Sequence, residues 1–342
     1  MYGVIGNFGF HTGQIDGQTI KTRVFYEMIS EITEHEVNYV DTSTIKSKPL
    51  YVLRLIFQLF KQHEIIFILP ADRGLKYLLP IYNFLAKRRN SGIYYIVIGG
   101  WLYDIASQSN RIKKGLFKLK GIYVQTDQMY NDLISLGLKN VHILPNFRKF
   151  CHDIPENSNE YQLPFKCLFL SRVIKEKGIE IAIDTIKRLR EQGLDVIMDV
   201  YGPIKKEYKK KLFNLVSRED QITFKGLIKP DSHKFYKVVA NYHIVLFPTF
   251  YKGEGMPGTI IDGFISGVPT IASDWKYNRL VLDHQKNGII LKNNTPKELA
   301  KEINMLYNNR DELKKLKEGC YKVRESYNAR KLLEKLLEEI KS

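Results

Sequence analysis

The sequence predicts an α/β protein of two doubly wound, parallel-sheet domains facing a central cleft, and three observations predict it. Its 342 residues exceed the usual single-domain range, which suggests two domains of about 150 residues each. Short β-rich apolar runs alternate with longer amphipathic stretches, the pattern of βαβ units on a parallel sheet. The alternation lapses once, in a polar stretch near the middle that carries two prolines, and then restarts. Such a lapse marks a linker.

In the first half the apolar runs lie at residues 2–8, 36–40, 65–69, 93–98, 121–125 and 141–144, each of strand length and rich in β-branched or aromatic side chains. Helical patterns such as residues 19–32 fill the gaps. After Pro145-Asn146-Phe147 the polar stretch KFCHDIPENSNEYQLP separates the halves. A second set follows, with strands at 166–170, 195–201, 221–225 and 243–247 and helices at 178–191, 205–217 and 231–240. From about residue 295 the chain is mostly helical, and residues 328–340 place Leu, Lys and Glu at helical spacing. The expected domains are therefore 1–150 and 151–325, with a C-terminal helix over 326–342 that fits packing back on the first domain. Open α/β sheets bind ligands outside the carboxyl ends of their strands, so chemistry is expected in the cleft.

Hydrophobic residues at 44% and charged residues at 26% give a globular composition, and no apolar run approaches the roughly 20 residues that span a bilayer. The opening MYGVIGNFGF lacks the basic leader, apolar block and small-residue cleavage site of a secretory signal. Cys151, Cys167 and Cys320 are far apart and not spaced as metal ligands or a redox pair. These features point to a cytoplasmic protein. Lysine and arginine number 53 against 37 acids, a net charge of +16, which predicts attraction to nucleic acid, acidic lipid or phosphorylated small molecules. No zinc module, RNA-binding aromatic signature or helix-turn-helix is present, so nucleic acid is not expected as a partner. The eight histidines form no i, i+4 pair, and none is assigned to catalysis.

Residues 247–274, FPTFYKGEGMPGTIIDGFISGVPTIASD, carry the densest chemistry. A strand ends near Pro248, a glycine-bearing loop holds Glu254, and Pro257 falls where a first helical position is expected. A helix starting there presents free N–H groups around Gly258 and Thr259 and a positive dipole end, suited to phosphate or sugar hydroxyls. Glu254 and Asp262 read in two ways from local chemistry: as carboxylates gripping two hydroxyl pairs, or as solvated acids on a loop and a helix. Upstream, LFLSRVIKEKG at 168–178 runs a strand into Arg172, Lys175, Lys177 and Gly178. Arg172 offers a planar fork for phosphate oxygens and Lys177 a flexible point charge. Solvated loop bases are the other reading.

Arg172, Lys177-Gly178, Glu254-Gly255-Met256-Pro257, Asp262 and Ser266-Gly267-Val268-Pro269-Thr270 together resemble family 4 of the retaining, GT-B-type glycosyltransferases, of the bacterial surface-polysaccharide kind. Tyr201-Gly202-Pro203, Phe224-Lys225-Gly226 and Pro145-Asn146-Phe147 extend the match over nearly the whole chain. The resemblance implies two Rossmann-like domains, the first for the acceptor and the second for a nucleotide-sugar donor. It implies transfer of the sugar to a saccharide acceptor with retention of configuration. Arg172 and Lys177 would neutralise the departing diphosphate, Glu254 would hold hydroxyls of the transferred sugar, and Asp262 the ribose hydroxyls. Amides near Gly258 and Thr259 would complete a cradle that includes Met256 and Pro257. Gly202 would line the nucleotide pocket and Gly17 approach the diphosphate. Three positions depart from the pattern: Asp262 replaces the usual glutamate, Met256 the usual aromatic, and HTGQIDGQ at 11–18 a tight run of glycines. No two aspartates are spaced i, i+2, so the Asp-x-Asp metal pattern of the other large class is missing. Neither a catalytic metal nor a cofactor beyond the donor is expected.

Bases interleave with apolar residues at 46–61, at Lys87-Arg88-Arg89, and at 111–120, where RIKKGLFKLK holds five bases and no acid. Such runs fit an anionic membrane surface, although residues 51–60 also fit a core-facing helix. They suggest a lipid-linked acceptor such as a glycan on polyprenyl diphosphate, and a protein peripheral on the inner face of the cell membrane. Trp101 fits that surface or the acceptor pocket. A dinucleotide-dependent oxidoreductase would need G-x-G-x-x-G, which Gly13 and Gly17 do not make. A non-catalytic two-domain sugar- or nucleotide-binding protein shares the architecture, and turnover separates the two.

Overall fold

The computed structural model describes residues 2–33, 36–150, 159, 161–216, 219–228 and 233–341. The chain forms two compact units, one of Met1–Lys149, Gly253–Met256 and Asn328–Ser342, the other of Phe150–Lys252 and Pro257–Tyr327. The division expected at 150 and 325 puts residues 253–256 in the second domain; their contacts group them with the first. Cys151, most of the expected linker, and the start of the helix expected at 231–240 lie outside the described residues.

The first unit holds strands β1 (Tyr2–Gly6), β2 (Val37–Asp41), β3 (Ile65–Leu69), β4 (Gly92–Ile96), β5 (Gly121–Val124) and β6 (Val141–Ile143). All pair in parallel, in the order β2-β1-β3-β4-β5-β6. Parallel strands must be covered on both faces, and β1 and β3 are accordingly apolar and almost wholly buried. Crossover helices include Gly17–Thr33, Pro49–Gln62 and Asp72–Arg89. In Pro49–Gln62, Val52, Ile56, Leu59 and Phe60 are buried while Leu50, Tyr51 and Phe57 are exposed. Residues 51–60 thus form a core-facing helix along one stripe only.

The C-terminal helix, Ala329–Lys341, counts with this unit. Its leucine spacing makes an apolar stripe: Leu333, Leu336 and Leu337 enter one core cluster with Val24, Phe25 and Met28 of the first helix. At its edge Arg330 donates to the Glu31 carboxylate at 3.1 Å. The pair is exposed and contributes little beside the leucines, each worth roughly 1.5–3 kcal/mol when fully buried.

The second unit holds β7 (Phe165–Leu170), β8 (Val196–Tyr201), β9 (Ile222–Gly226), β10 (Ile244–Phe247), β11 (Thr270–Ser273) and β12 (Gly288–Leu291). They pair in parallel in the order β12-β11-β10-β7-β8-β9. Counted from the start of the unit, this is the 3-2-1-4-5-6 order of doubly wound nucleotide-binding sheets. The order reverses between β7 and β10, which are hydrogen-bonded neighbours. Patterning left β11 and β12 unmarked: β11 follows directly on a segment that reads as a turn, and β12 is flanked by Asn287 and by Asn293-Asn294, which read the same way. His243, at the foot of β10, accepts from the Lys166 N–H through Nδ1 at 2.8 Å and stacks on Phe165. Burial, reinforced by Arg310, lowers its pKa to about 4, so it serves as a neutral structural acceptor.

Among the described residues no helix is long and apolar enough to cross a membrane.

Candidate active site

The carboxyl ends of β7 and β10 meet at the switch point of the second sheet, where open α/β sheets bind ligands. β7 is buried through Cys167, Leu168 and Phe169 and delivers Ser171 and Arg172 to the sheet's end. Beyond the turn Lys175–Lys177, Gly178 takes φ +81°, and a Cβ there would stand 2.0 Å from the Pro248 carbonyl oxygen. Only glycine lets this turn pass against the loop after β10. Gly202, following β8, takes φ +145°, and a Cβ there would lie 1.8 Å from the Ser171 carbonyl oxygen. It holds two backbones together beside Arg172.

The loop after β10 binds back onto the turn after β7. The Phe250 N–H donates to the Glu176 carbonyl at 2.8 Å, and the Thr249 hydroxyl to the same oxygen at 3.4 Å. The two loops share an aromatic platform, Tyr251. The Arg172 guanidinium carbon lies 4.7 Å from its ring centroid and Lys177 Nζ 5.1 Å from the same centroid, with Phe247 at 5.4 Å from that nitrogen. Tyr251 is fixed in turn by the Trp275 indole N–H, which donates to its carbonyl at 2.8 Å, and by its own N–H, which donates to the Thr249 hydroxyl at 3.2 Å. The negative ring faces offset part of the desolvation of the cations, and Lys177 is only 7% exposed. A solvated loop base is therefore the wrong description of Lys177. Two cations drawn to one ring repel each other, and an anion bound to both relieves that repulsion. Tyr251 and Trp275 did not stand out in the sequence. The signal for Tyr251 was the aromatic opening FPTFY, which acquires meaning once β7 lies beside β10.

Pro257 is the N-cap of the helix Gly258–Ser266, one position before the first helical residue expected for it, with φ −70° and ψ 124°. Proline makes no side-chain cap, so the leading N–H groups of Gly258 and Thr259 receive none from it. The Thr259 hydroxyl donates to the Leu170 carbonyl at 2.8 Å and pins the helix start to the end of β7. Asp262, in the second turn, is 5% exposed, which removes its reading as a solvated helix acid.

Glu254 and Met256 lie in the strip counted with the first unit. The Met256 N–H donates to Gln125 Oε1 at 3.0 Å, the Asn146 side-chain amide donates to the Met256 carbonyl at 3.0 Å, and the Asn146 N–H to Met256 Sδ at 3.2 Å. The thioether thus accepts a hydrogen bond at the position where an aromatic is usual. Glu254 is 7% exposed, so it is not a solvated loop acid either. Gly17 opens the helix Gly17–Thr33, and a Cβ there would meet nothing within 4 Å; no contact within the protein demands glycine. One turn on, Lys21 is buried, its Nζ donating to the Val97 carbonyl at 3.2 Å and standing 5.2 Å from the Phe147 centroid. Burial, and then the charge of Arg148, lower its pKa to about 7. Trp101 is half-buried at the start of the helix Leu102–Gln108. Among the described residues no group of three or more His, Cys, Asp or Glu side chains is placed to hold a metal ion.

Two Rossmann-like sheets in one chain, the second with a cationic switch point, place the protein in the GT-B structural class. Solved structures share that fold. The crystal structure of Anabaena HepE in complex with UDP and glucose matches with a TM-score of 0.74, covering 100% of this chain and 99% of that one at 13% identity. Staphylococcus aureus TarM matches with a TM-score of 0.68, covering 85% of this chain and 58% of that one at 20% identity. Residues 152–323, just over half of the chain, match the family model for glycosyl transferases group 1, and the chain belongs to that family. It is 25% identical over 197 residues to the poly(ribitol-phosphate) alpha-N-acetylglucosaminyltransferase of Staphylococcus aureus, covering 56% of this chain and 38% of that protein. The chain spans less than half the length of the curated relatives it matches.

Proposed function

We propose that the protein moves a sugar from a nucleotide diphosphate to a saccharide acceptor. The observation that carries this reading is the pair Arg172 and Lys177 gathered on Tyr251 where β7 meets β10. Cleavage between the anomeric carbon and the diphosphate sends the bonding pair onto a phosphate oxygen and leaves positive charge on the sugar ring. Cations already in place at the leaving group lower that barrier. Arg172 supplies a bidentate fork and Lys177 a point charge, and the N–H groups of Gly258 and Thr259 add the dipole of a helix start. Asp262 takes the ribose hydroxyls, Gly202 lines the nucleotide pocket, and Glu254 takes hydroxyls of the transferred sugar. Met256 and Pro257 shape the same loop, and Gly17 gives close backbone approach to the diphosphate. With the leaving group neutralised by side chains, the reaction proceeds without a metal or a further cofactor; retention of the anomeric configuration is what the resemblance to the retaining family implies.

Related proteins support the substrate classes. The HepE structure holds UDP and glucose, and the Staphylococcus aureus relative is named a poly(ribitol-phosphate) alpha-N-acetylglucosaminyltransferase. By analogy the donor is a nucleoside-diphosphate sugar and the acceptor a glycan; the basic-apolar runs at 46–61, 87–89 and 111–120 favour an acceptor carried on a polyprenyl diphosphate. The enzyme meets it in the cytoplasm, peripheral on the inner face of the membrane. The test is release of free nucleoside diphosphate from a panel of sugar nucleotides, with and without a glycan acceptor. Acceptor-dependent release supports the proposal. Binding of a sugar nucleotide with no release from any member of the panel would overturn it in favour of a non-catalytic binding protein.

A further inference from the structure

We infer that the first unit carries a head-group site for an anionic phospholipid, in the cavity between the helices Asp72–Arg89 and Asn110–Leu116. The cavity measures about 610 Å³, within the range of small-ligand pockets. Five cations line it: Lys76 and Lys87 from one helix, Arg111 and Lys114 from the other, and Lys118 from the turn that follows. An adjoining cavity of about 430 Å³ shares Lys76 and Arg111, and no carboxylate lines either one. None of the five cations pairs with a carboxylate among the described residues. Charges of one sign on facing helices repel, and a bound phosphate converts that repulsion into several charge-assisted hydrogen bonds.

The remaining wall identifies the kind of phosphate. Leu79, Pro80 and Phe84 are apolar, and Phe84 at the cavity and Tyr77 beside it are 61% and 76% exposed. A lipid in a bilayer uses both parts at once: its phosphate meets the lysines while the rings enter the boundary between head groups and chains. The sequence separates these parts, with Lys87 in one basic run and Arg111–Lys118 in another. Packing of the two helices makes them a single site. The inference rests on the membrane part of the proposed function and not on its sugar chemistry.

Flotation of the full chain with vesicles tests it, using phosphatidylcholine alone and phosphatidylcholine mixed with phosphatidylglycerol. The groove variant is Lys87→Glu/Arg111→Glu/Lys114→Glu. The control, Lys209→Glu/Lys210→Glu/Lys314→Glu, makes the same change in net charge in the second unit, and all six positions are exposed. The expected result is binding of the unaltered chain to the anionic vesicles only. The groove variant should lose at least about tenfold in partitioning and the control less than about twofold. Nucleoside diphosphate release without lipid should be the same in all three proteins. Full binding by the groove variant, or an equal loss in the control, would overturn the site while leaving membrane association in place. Indifference of the unaltered chain to both vesicles would remove membrane association as well, and the lipid-free turnover would still report on the sugar chemistry.

Discussion

Tyr251 gathers Arg172 and Lys177 on one ring, and its own backbone is held by Trp275 and Thr249. The ring, not the phenol oxygen, makes these contacts. Tyr251→Phe should therefore keep turnover within a few-fold of normal, while Tyr251→Leu should lower kcat by about 10-fold or more with a smaller change in KM, since it frees the two cations from their positions. Equal activity of the two variants would show that the ring positions nothing. Lys21 makes a separate prediction. Its folded pKa of about 7 lies below the ordinary 10.5, so the unfolded chain binds more protons between those values. Stability therefore rises with pH across that window and is lost as pH falls toward 7. Lys21→Met should be more stable than the natural chain near pH 7 by a few kcal/mol, at about 1.4 kcal/mol per pKa unit, and the gap should close toward pH 10. Urea denaturation across that range measures it, and a gap that does not change with pH would show that Lys21 titrates normally. Arg172, Lys177, Glu254 and Asp262 stood out as candidates because their residue types sit at a strand end and around a helix start, while the role of each was implied only by the family resemblance. Tyr251, Gln125 and Asn146 were not. Gln125 and Asn146 meet Met256 across 131 and 110 residues, and no local pattern announces such partners.

At the scale of elements, the first ten strands were marked by apolar runs and the last two were not. β11 and β12 are set in a segment whose glycines, prolines and asparagines read as turns. The start of the helix Gly258–Ser266 was legible to within one residue, because proline both ends the extended segment and cannot spend an N–H inside the helix. The loops around it depend on Gly178 and Gly202, whose positive φ angles and backbone contacts exclude a Cβ. Gly178→Ala and Gly202→Ala should each lower stability by at least about 2 kcal/mol, from the left-handed conformation plus the displaced loop. Chemical denaturation of each variant measures the loss. Wild-type stability in Gly178→Ala would mean that the loops after β7 and β10 do not meet as described, and in Gly202→Ala that those after β7 and β8 do not.

At the scale of the molecule, two doubly wound sheets were legible from alternation alone, and the 3-2-1-4-5-6 order of the second from nothing in the sequence. Strand order depends on which edges pair, whereas patterning reports only which faces are buried. The same limit explains the strip at residues 253–256. Sequence continuity joins it to β10, while hydrogen bonds with Gln125 and Asn146 hold its Met256 in the first unit. The C-terminal helix was readable as a helix, and its leucine stripe required a partner without naming one. The fold of the second unit brings Arg172 and Lys177 to one switch point, which we propose as the site that receives a leaving diphosphate. The most direct measurement is the rate of nucleoside diphosphate release from the preferred sugar nucleotide by Arg172→Ala and Lys177→Ala, with far-ultraviolet circular dichroism confirming that each is folded. A fall in kcat of about 100-fold or more is expected in each variant; undiminished turnover in both folded variants would show that the two cations do not stabilise the leaving group.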